Sequence, residues 1–248
     1  MMRRFRHCTI PVLLAGMLCL PLAAQQFDEK RWGKNSPGVE LGIHEGPRTH
    51  ESSGTALFYN IIGKGFPGDK VYDLWFWNLG KKPQKGVEGV SFDKRGVLVC
   101  SGKPGSCVGK GTDDPINIKT TAALGEPKRF AVASRDGRVA GFVEAMPFPI
   151  KASDKNCQLS VVREAPQAEE VAVRASGFTP YEMLTVTGTL GPDNTMHGPT
   201  AASDGTWQAI IGTKAFGQDS GVATIKVAGK GCAVAVNFQW GDGSEQAQ

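Results

Sequence analysis

The 248-residue chain is poor in the signals that mark enzymes, metal sites and membrane spans. Its longest apolar run, Ile10 to Leu22, is too short to cross a bilayer comfortably, and polar Gln25, Gln26 and Asp28 follow at once. No stretch shows the period of a long amphipathic helix. The nucleophile elbow G-x-S-x-G is absent, which removes the commonest hydrolase arrangement. No cysteine pair has C-x-x-C spacing, so the usual redox and zinc motifs are missing too.

What is present starts with the ends. Arg3, Arg4 and Arg6 precede the apolar run, and Ala23-Ala24 closes it with small residues, the pattern of a cleaved signal peptide over residues 1–24. Cys19 lacks the small residues that precede a lipid-modified cysteine. The pattern predicts a secreted or periplasmic, cell-envelope protein with no transmembrane span in the mature chain. Removing three arginines from 28 basic side chains leaves 25 against 24 acidic ones, so the mature chain has no global pull toward nucleic acid or membrane. Residues 39–152 carry 16 Lys and Arg against 12 Asp and Glu, whereas residues 155–240 carry 6 against 7. An anionic partner would prefer the first half.

Four cysteines remain after cleavage: Cys100, Cys107, Cys157 and Cys232. An even number in an oxidising compartment reads as disulfides. Of three connectivities the simplest pairs Cys100 with Cys107 and Cys157 with Cys232.

The body of the chain reads as short strands and turns, in keeping with 32 glycines and 15 prolines. Strand-like runs lie at 39–43, 55–62, 71–78, 97–100, 130–133 and 139–145, and again at 158–162, 170–175, 183–189, 206–211, 222–227 and 233–238. Gly65-Phe66-Pro67-Gly68-Asp69 and Gly177-Phe178-Thr179-Pro180-Tyr181-Glu182 occupy matching joints. Glu45-Gly46-Pro47 matches Glu164-Ala165-Pro166, Asp93 to Gly96 matches Asp204-Gly205, and Gly137 and Gly229 both fall in the last hairpin. The chain is therefore two copies of one unit, at 39–152 and 156–240, joined near Ala152-Ser153-Asp154. A flexible lead-in covers 25–38 and a disordered tail 241–248. The shrinking offset between copies places some 20 extra residues in the first, around Gly102–Leu124.

Paired runs, Gly-Phe with a nearby proline before the third strand, and Asp-x-x-Gly or Asp-Gly before a later one resemble bacterial immunoglobulin-like modules. That resemblance implies an all-β chain of two tandem seven-strand-type sandwiches and implies no reaction. The joint of the first unit also resembles that of neocarzinostatin-type sandwiches, which hold a small molecule in a cleft.

Several motifs fail on context. Gly63-Lys64-Gly65-Phe66-Pro67-Gly68 fits G-x-G-x-x-G, but a proline and a strand follow instead of the helix that a dinucleotide needs. His44-Glu45 and His50-Glu51 are separated by Gly46-Pro47, which forbids the helical H-E-x-x-H arrangement. Asp113-Asp114 lacks further spaced acidic ligands for calcium. No cofactor or metal is expected.

The most informative stretch is Tyr72-Asp73-Leu74-Trp75-Phe76-Trp77. Side chains alternate along a strand, so Asp73, Trp75 and Trp77 share a face. The second copy has Thr185, Thr187 and Thr189 there, which marks that face as the wet one. Trp75 and Trp77, with Lys81, Lys82 and Lys85 after them, form the expected contact surface unless the chain itself covers it. The expected function is non-catalytic binding or envelope support, toward an envelope protein or an anionic glycan and not toward nucleic acid. The rivals are an exported enzyme or enzyme accessory with a site between the units, and a small-ligand carrier.

Overall fold

A computed structural model describes residues 33–52, 54–102, 107, 114–188 and 195–245, without the side chains of 195–197. The expected signal peptide, most of the loop holding Asp113 and the last three residues lie outside that set. Among the described residues seventeen strands follow one another: β1 (Glu40–Glu45), β2 (Thr49–Glu51), β3 (Gly54–Lys64), β4 (Tyr72–Trp77), β5 (Gln84–Phe92), β6 (Leu98–Cys100), β7 (Asn117–Thr120), β8 (Lys128–Ser134) and β9 (Ala140–Ala145) form the first group. The second comprises β10 (Ile150–Asp154), β11 (Cys157–Arg163), β12 (Glu170–Ser176), β13 (Met183–Gly188), β14 (Thr195–Thr200), β15 (Trp207–Gly212), β16 (Ser220–Ala228) and β17 (Ala233–Gly241). No helix occurs among the described residues, and none there is long and apolar enough to cross a membrane.

The fold is all-β, with four antiparallel sheets making two sandwiches. In the first, β3 is flanked by β1 and β7, with β2 folded onto its start, and the facing sheet runs β6-β5-β4-β8-β9. In the second, β10-β11-β12-β15 faces β14-β13-β16-β17. Alternation puts Leu57, Tyr59 and Ile61 of β3 in one core with Tyr72 and Leu74 of β4 and Val132 of β8. A separate core holds Leu159, Val161, Val171 and Val173 against Leu184, Val186, Ile225 and Phe238. Each fully buried Leu or Ile contributes about 2 kcal/mol toward holding its sheets together.

The duplication is visible in matching backbone details. Gly65 and Gly177 have φ of +75° and +85°, and a Cβ on either would collide with a backbone carbonyl, Gly38 O shortly before β1 or Asn156 O just before β11. Gly96 O accepts from Gly63 N at 2.8 Å and Gly205 O from Phe178 N at 3.2 Å, the donors lying on opposite sides of the matched glycines. The matched turns thus do the same work in both copies.

The copies diverge after that turn. In the second, β15 runs along β12 from Trp207 to Gly212. In the first, Val97 makes one bridge to Ile62, then β6 leaves to pair with β5, and pairing with β3 resumes only at β7. The extra residues therefore interrupt one strand, and the Cys100–Cys107 disulfide lies at the start of the interruption. Cys157 bridges Cys232, tying the first residue of β11 to the turn before β17.

Three expected boundaries move. The joint placed at Ala152-Ser153-Asp154 is β10, hairpinned onto β11 with Asp154 opposite Cys157, so the first unit's expected end at residue 152 falls inside a strand of the second. Ile-Lys-Ala-Ser-Asp has too few apolar residues to announce a strand, and its neighbour supplies the pairing. In the lead-in, Ser36 N donates to Ala140 O at 2.8 Å, and Asn35 Oδ1 accepts from Phe142 N at 2.7 Å, fixing that segment to the edge of β9. In the tail, Gly241 N donates to Gln167 O at 2.7 Å and Ser244 is buried. β5 is a strand that the sequence does not announce, because Gly86 and Gly89 dilute its apolar signal and two register shifts break its alternation against β4.

Candidate binding face

β4 lies at the centre of the five-stranded sheet, between β5 and β8. Tyr72 and Leu74 are buried in the main core, which sends Asp73, Trp75 and Trp77 to the opposite face. One row across that face reads Lys85, Trp75, Ala131, Phe142, and the next reads Trp77, Arg129, Glu144. Trp75 is half-buried against a small cluster of Ala131, Ala140 and Phe142, separate from both main cores. Each indole carries a cation: Lys85 Nζ is 5.4 Å from the Trp75 ring centre and Arg129 Cζ 5.1 Å from that of Trp77. Such pairs are worth roughly 0.5–1 kcal/mol at exposed sites.

Carboxylates hold those cations in place. Lys85 Nζ lies 3.3 Å from Asp73 and 3.0 Å from Glu88, and hydrogen bonding to Glu88 first, then Asp73, raises its pKa above the usual lysine value. Asp73 is buried and also accepts from Gly89 N at 3.1 Å and Arg135 Nε at 3.5 Å. Arg129 Nε donates to Glu144 at 2.8 Å, and its guanidinium reaches Glu164 at 3.9 Å. The face is thus aromatic with a balanced rim of charge, unlike the cationic patch suggested by the lysine spacing.

The five expected residues separate into two places. Trp75, Trp77 and Lys85 share the face, Lys85 from β5 and not from a loop. Lys81 and Lys82 are exposed in the β4–β5 turn, where Lys81 lines an open cleft of about 500 Å3 with Glu126, Lys128, Pro166 and Glu245. Lys128 Nζ and Glu126 pair there at 2.6 Å. A second cleft beside Trp77, Ile118 and Arg129 holds about 150 Å3, below the roughly 300–1,000 Å3 of small-molecule sites. Arg129 and Phe142 join the face in addition to the expected residues. Alternation outward from core residue Phe130 would have found Arg129; Phe142 needed the β8–β9 register.

The dispersed motifs stay dispersed. His44 is exposed, and His50 Nδ1 pairs with Thr55 Oγ1 at 3.1 Å. Among the described residues no three His, Cys, Asp or Glu side chains converge as metal ligands would.

No family model and no curated protein sequence matches the chain. Among solved structures, a tetra-tandem repeat in the extending region of a large adhesion protein is 12% identical, over 82% of this chain and 49% of that one, with a TM-score of 0.26. A red sea bream transglutaminase is 11% identical over 81% and 30%, with a TM-score of 0.21. The chain thus spans about half of the first and under a third of the second. Likenesses this low carry no argument about this chain.

Proposed function

We propose that the protein is an exported, non-catalytic binding module of the cell envelope, built of two immunoglobulin-type sandwiches, with its contact surface on the face bearing Trp75 and Trp77. The strand orders favour that type. β11-β12-β15 against β14-β13-β16-β17 follows the A-B-E and C′-C-F-G arrangement, and β1-β3-β7 against β6-β5-β4-β8-β9 matches it with one more strand at the edge. The N-terminal pattern and the two disulfides favour export. The partner is an envelope protein or glycan that accepts an aromatic surface with ordered charges.

The single observation that carries the reading is the pair of cation-capped indoles on a sheet face that is not the main core. Indoles give large contact area at low entropic cost, and aligned charges add specificity more than affinity. The test is binding of the mature chain to intact cells or isolated envelopes, measured by co-sedimentation. The double change Trp75→Ala and Trp77→Ala should weaken binding by about a thousandfold, as loss of roughly 2 kcal/mol per indole requires. If it instead unfolds the first sandwich, the indoles are structural and the reading fails.

A further inference from the structure

The outer face of the sheet β10-β11-β12-β15 is polar and cationic. Lys151, Ser160, Arg174 and Gln208 stand opposite one another in one row across its four strands. Ser153, Gln158 and Ser176 form the adjacent row. The sheet curves these rows into an open trough of about 820 Å3, with Thr206 and the half-buried Trp207 at one side. No residue lining the trough is acidic. The nearest carboxylate on the same strand face, Glu170, lies two rows beyond Arg174, about 13 Å along β12.

Both cations are exposed, and neither has an ion-pair partner among the described residues. That contrasts with Lys85, Lys128 and Arg129, each held by a carboxylate. With Ser160 between them, Lys151 and Arg174 lie two strand spacings apart, about 10 Å, close to the span of two sugar residues in a chain. Between and beside them the side chains are hydroxyls and amides, which donate and accept hydrogen bonds without charge. A ligand complementary to this surface carries anionic groups about 10 Å apart and many hydroxyls between them. A nucleic acid would ask for a denser line of cations, and an acidic peptide for apolar anchors.

We propose that this trough is a second binding site and that it takes an acidic polysaccharide, a chain of uronate sugars, across the strands. Arg174 grips one carboxylate through its planar fork, Lys151 meets another as a point charge, and the Ser and Gln side chains bond the sugar hydroxyls.

Native affinity electrophoresis of the mature chain in gels cast with polygalacturonate, neutral dextran or duplex DNA tests this. Retardation should appear with polygalacturonate alone and fade as salt is raised. Changing Lys151→Gln and Arg174→Gln together should weaken the polygalacturonate interaction by about tenfold or more; both side chains are exposed, so the melting temperature should hold. The Trp75→Ala, Trp77→Ala protein should bind polygalacturonate as the natural chain does. Absence of retardation by polygalacturonate overturns the proposal, as does equal retardation by DNA or binding that survives the loss of both cations. Binding abolished by the tryptophan changes would move the glycan site to the first sandwich and also overturn it.

Discussion

Arg163 Nε donates to the carbonyl of Leu124 at 2.6 Å, so a side chain from the first full strand of the second sandwich closes a loop of the first. Its other donors reach Pro166 O at 2.9 Å and Ser244 O at 2.7 Å, and its backbone N–H bonds Gly125 O at 2.9 Å. Arg163 is only 2% exposed, and burial pushes its pKa down from the usual arginine value, with Glu126 and Glu245 opposing. One cation thus satisfies three carbonyls from three segments.

Removing it should loosen the joint. Arg163→Met leaves those carbonyls without their donor and should destabilise the chain by about 2–4 kcal/mol in urea unfolding. Limited proteolysis should then open the 121–126 loop or the C-terminal turn before it cuts Ile150–Asp154, which is protected as a strand. Wild-type-like stability of the variant would show that the three bonds are replaceable by water.

The two joint glycines should be intolerant of a methyl group. Gly65→Ala and Gly177→Ala each add a Cβ to a positive-φ residue pressed against a backbone carbonyl, and each should lower stability by more than about 2 kcal/mol. Gly68, in open space with no positive φ, should accept alanine with little change. Equal effects at Gly65 and Gly68 would refute this reading of the turn.

The disulfides should differ in weight. Cys157–Cys232 spans 75 residues and Cys100–Cys107 spans 7, so in the chain-entropy model they contribute about 4–5 and 2–3 kcal/mol. Paired serine substitutions, followed by thermal unfolding, should hurt the second sandwich more than the first. The opposite order would place the weight on strain or packing.

Stability should fall at both extremes of pH, for separate reasons. The Lys70 ammonium at 2.6 Å, then Ser134 Oγ and the Arg138 amide, hold the Asp136 carboxyl well below the usual carboxylate range. A depressed folded value means the contribution is present above about pH 4 and lost as pH falls further. Asp136→Asn should cost under about 1 kcal/mol at neutral pH, since the pair is partly in water, and nothing in strong acid. Calorimetry at several pH values reads the convergence.

Burial pushes Tyr59 and Tyr72 up to about 12. A raised folded value means stability is intact below about pH 10 and lost as pH climbs through 12. Ultraviolet difference titration should show two phenols that ionise only as the fold opens. Ordinary titration of all three tyrosines in the folded protein would contradict their burial.

The sequence by itself determined what is local. Gly-Phe joints, Asp-Gly turns and two-residue alternation depend on φ limits and on neighbours a few positions away, so the all-β class, most strands and the doubling were legible, as was the side of β4 that carries Trp75 and Trp77. The tertiary structure decided what depends on partners far along the chain. Whether β6 stays with β3 or leaves for β5 is set by which edge offers unpaired backbone groups, and nothing in Leu98-Val99-Cys100 encodes that choice. Ile150–Asp154 is a strand because β11 presents an edge to it, although its own composition reads as a linker. Lys85 sits over Trp75 because β5 folds back in that register, with two shifts that alternation alone does not foresee. Backbone conformation is written residue by residue, whereas pairing is a competition among all edges at once, and only the assembled sheets reveal which edge won.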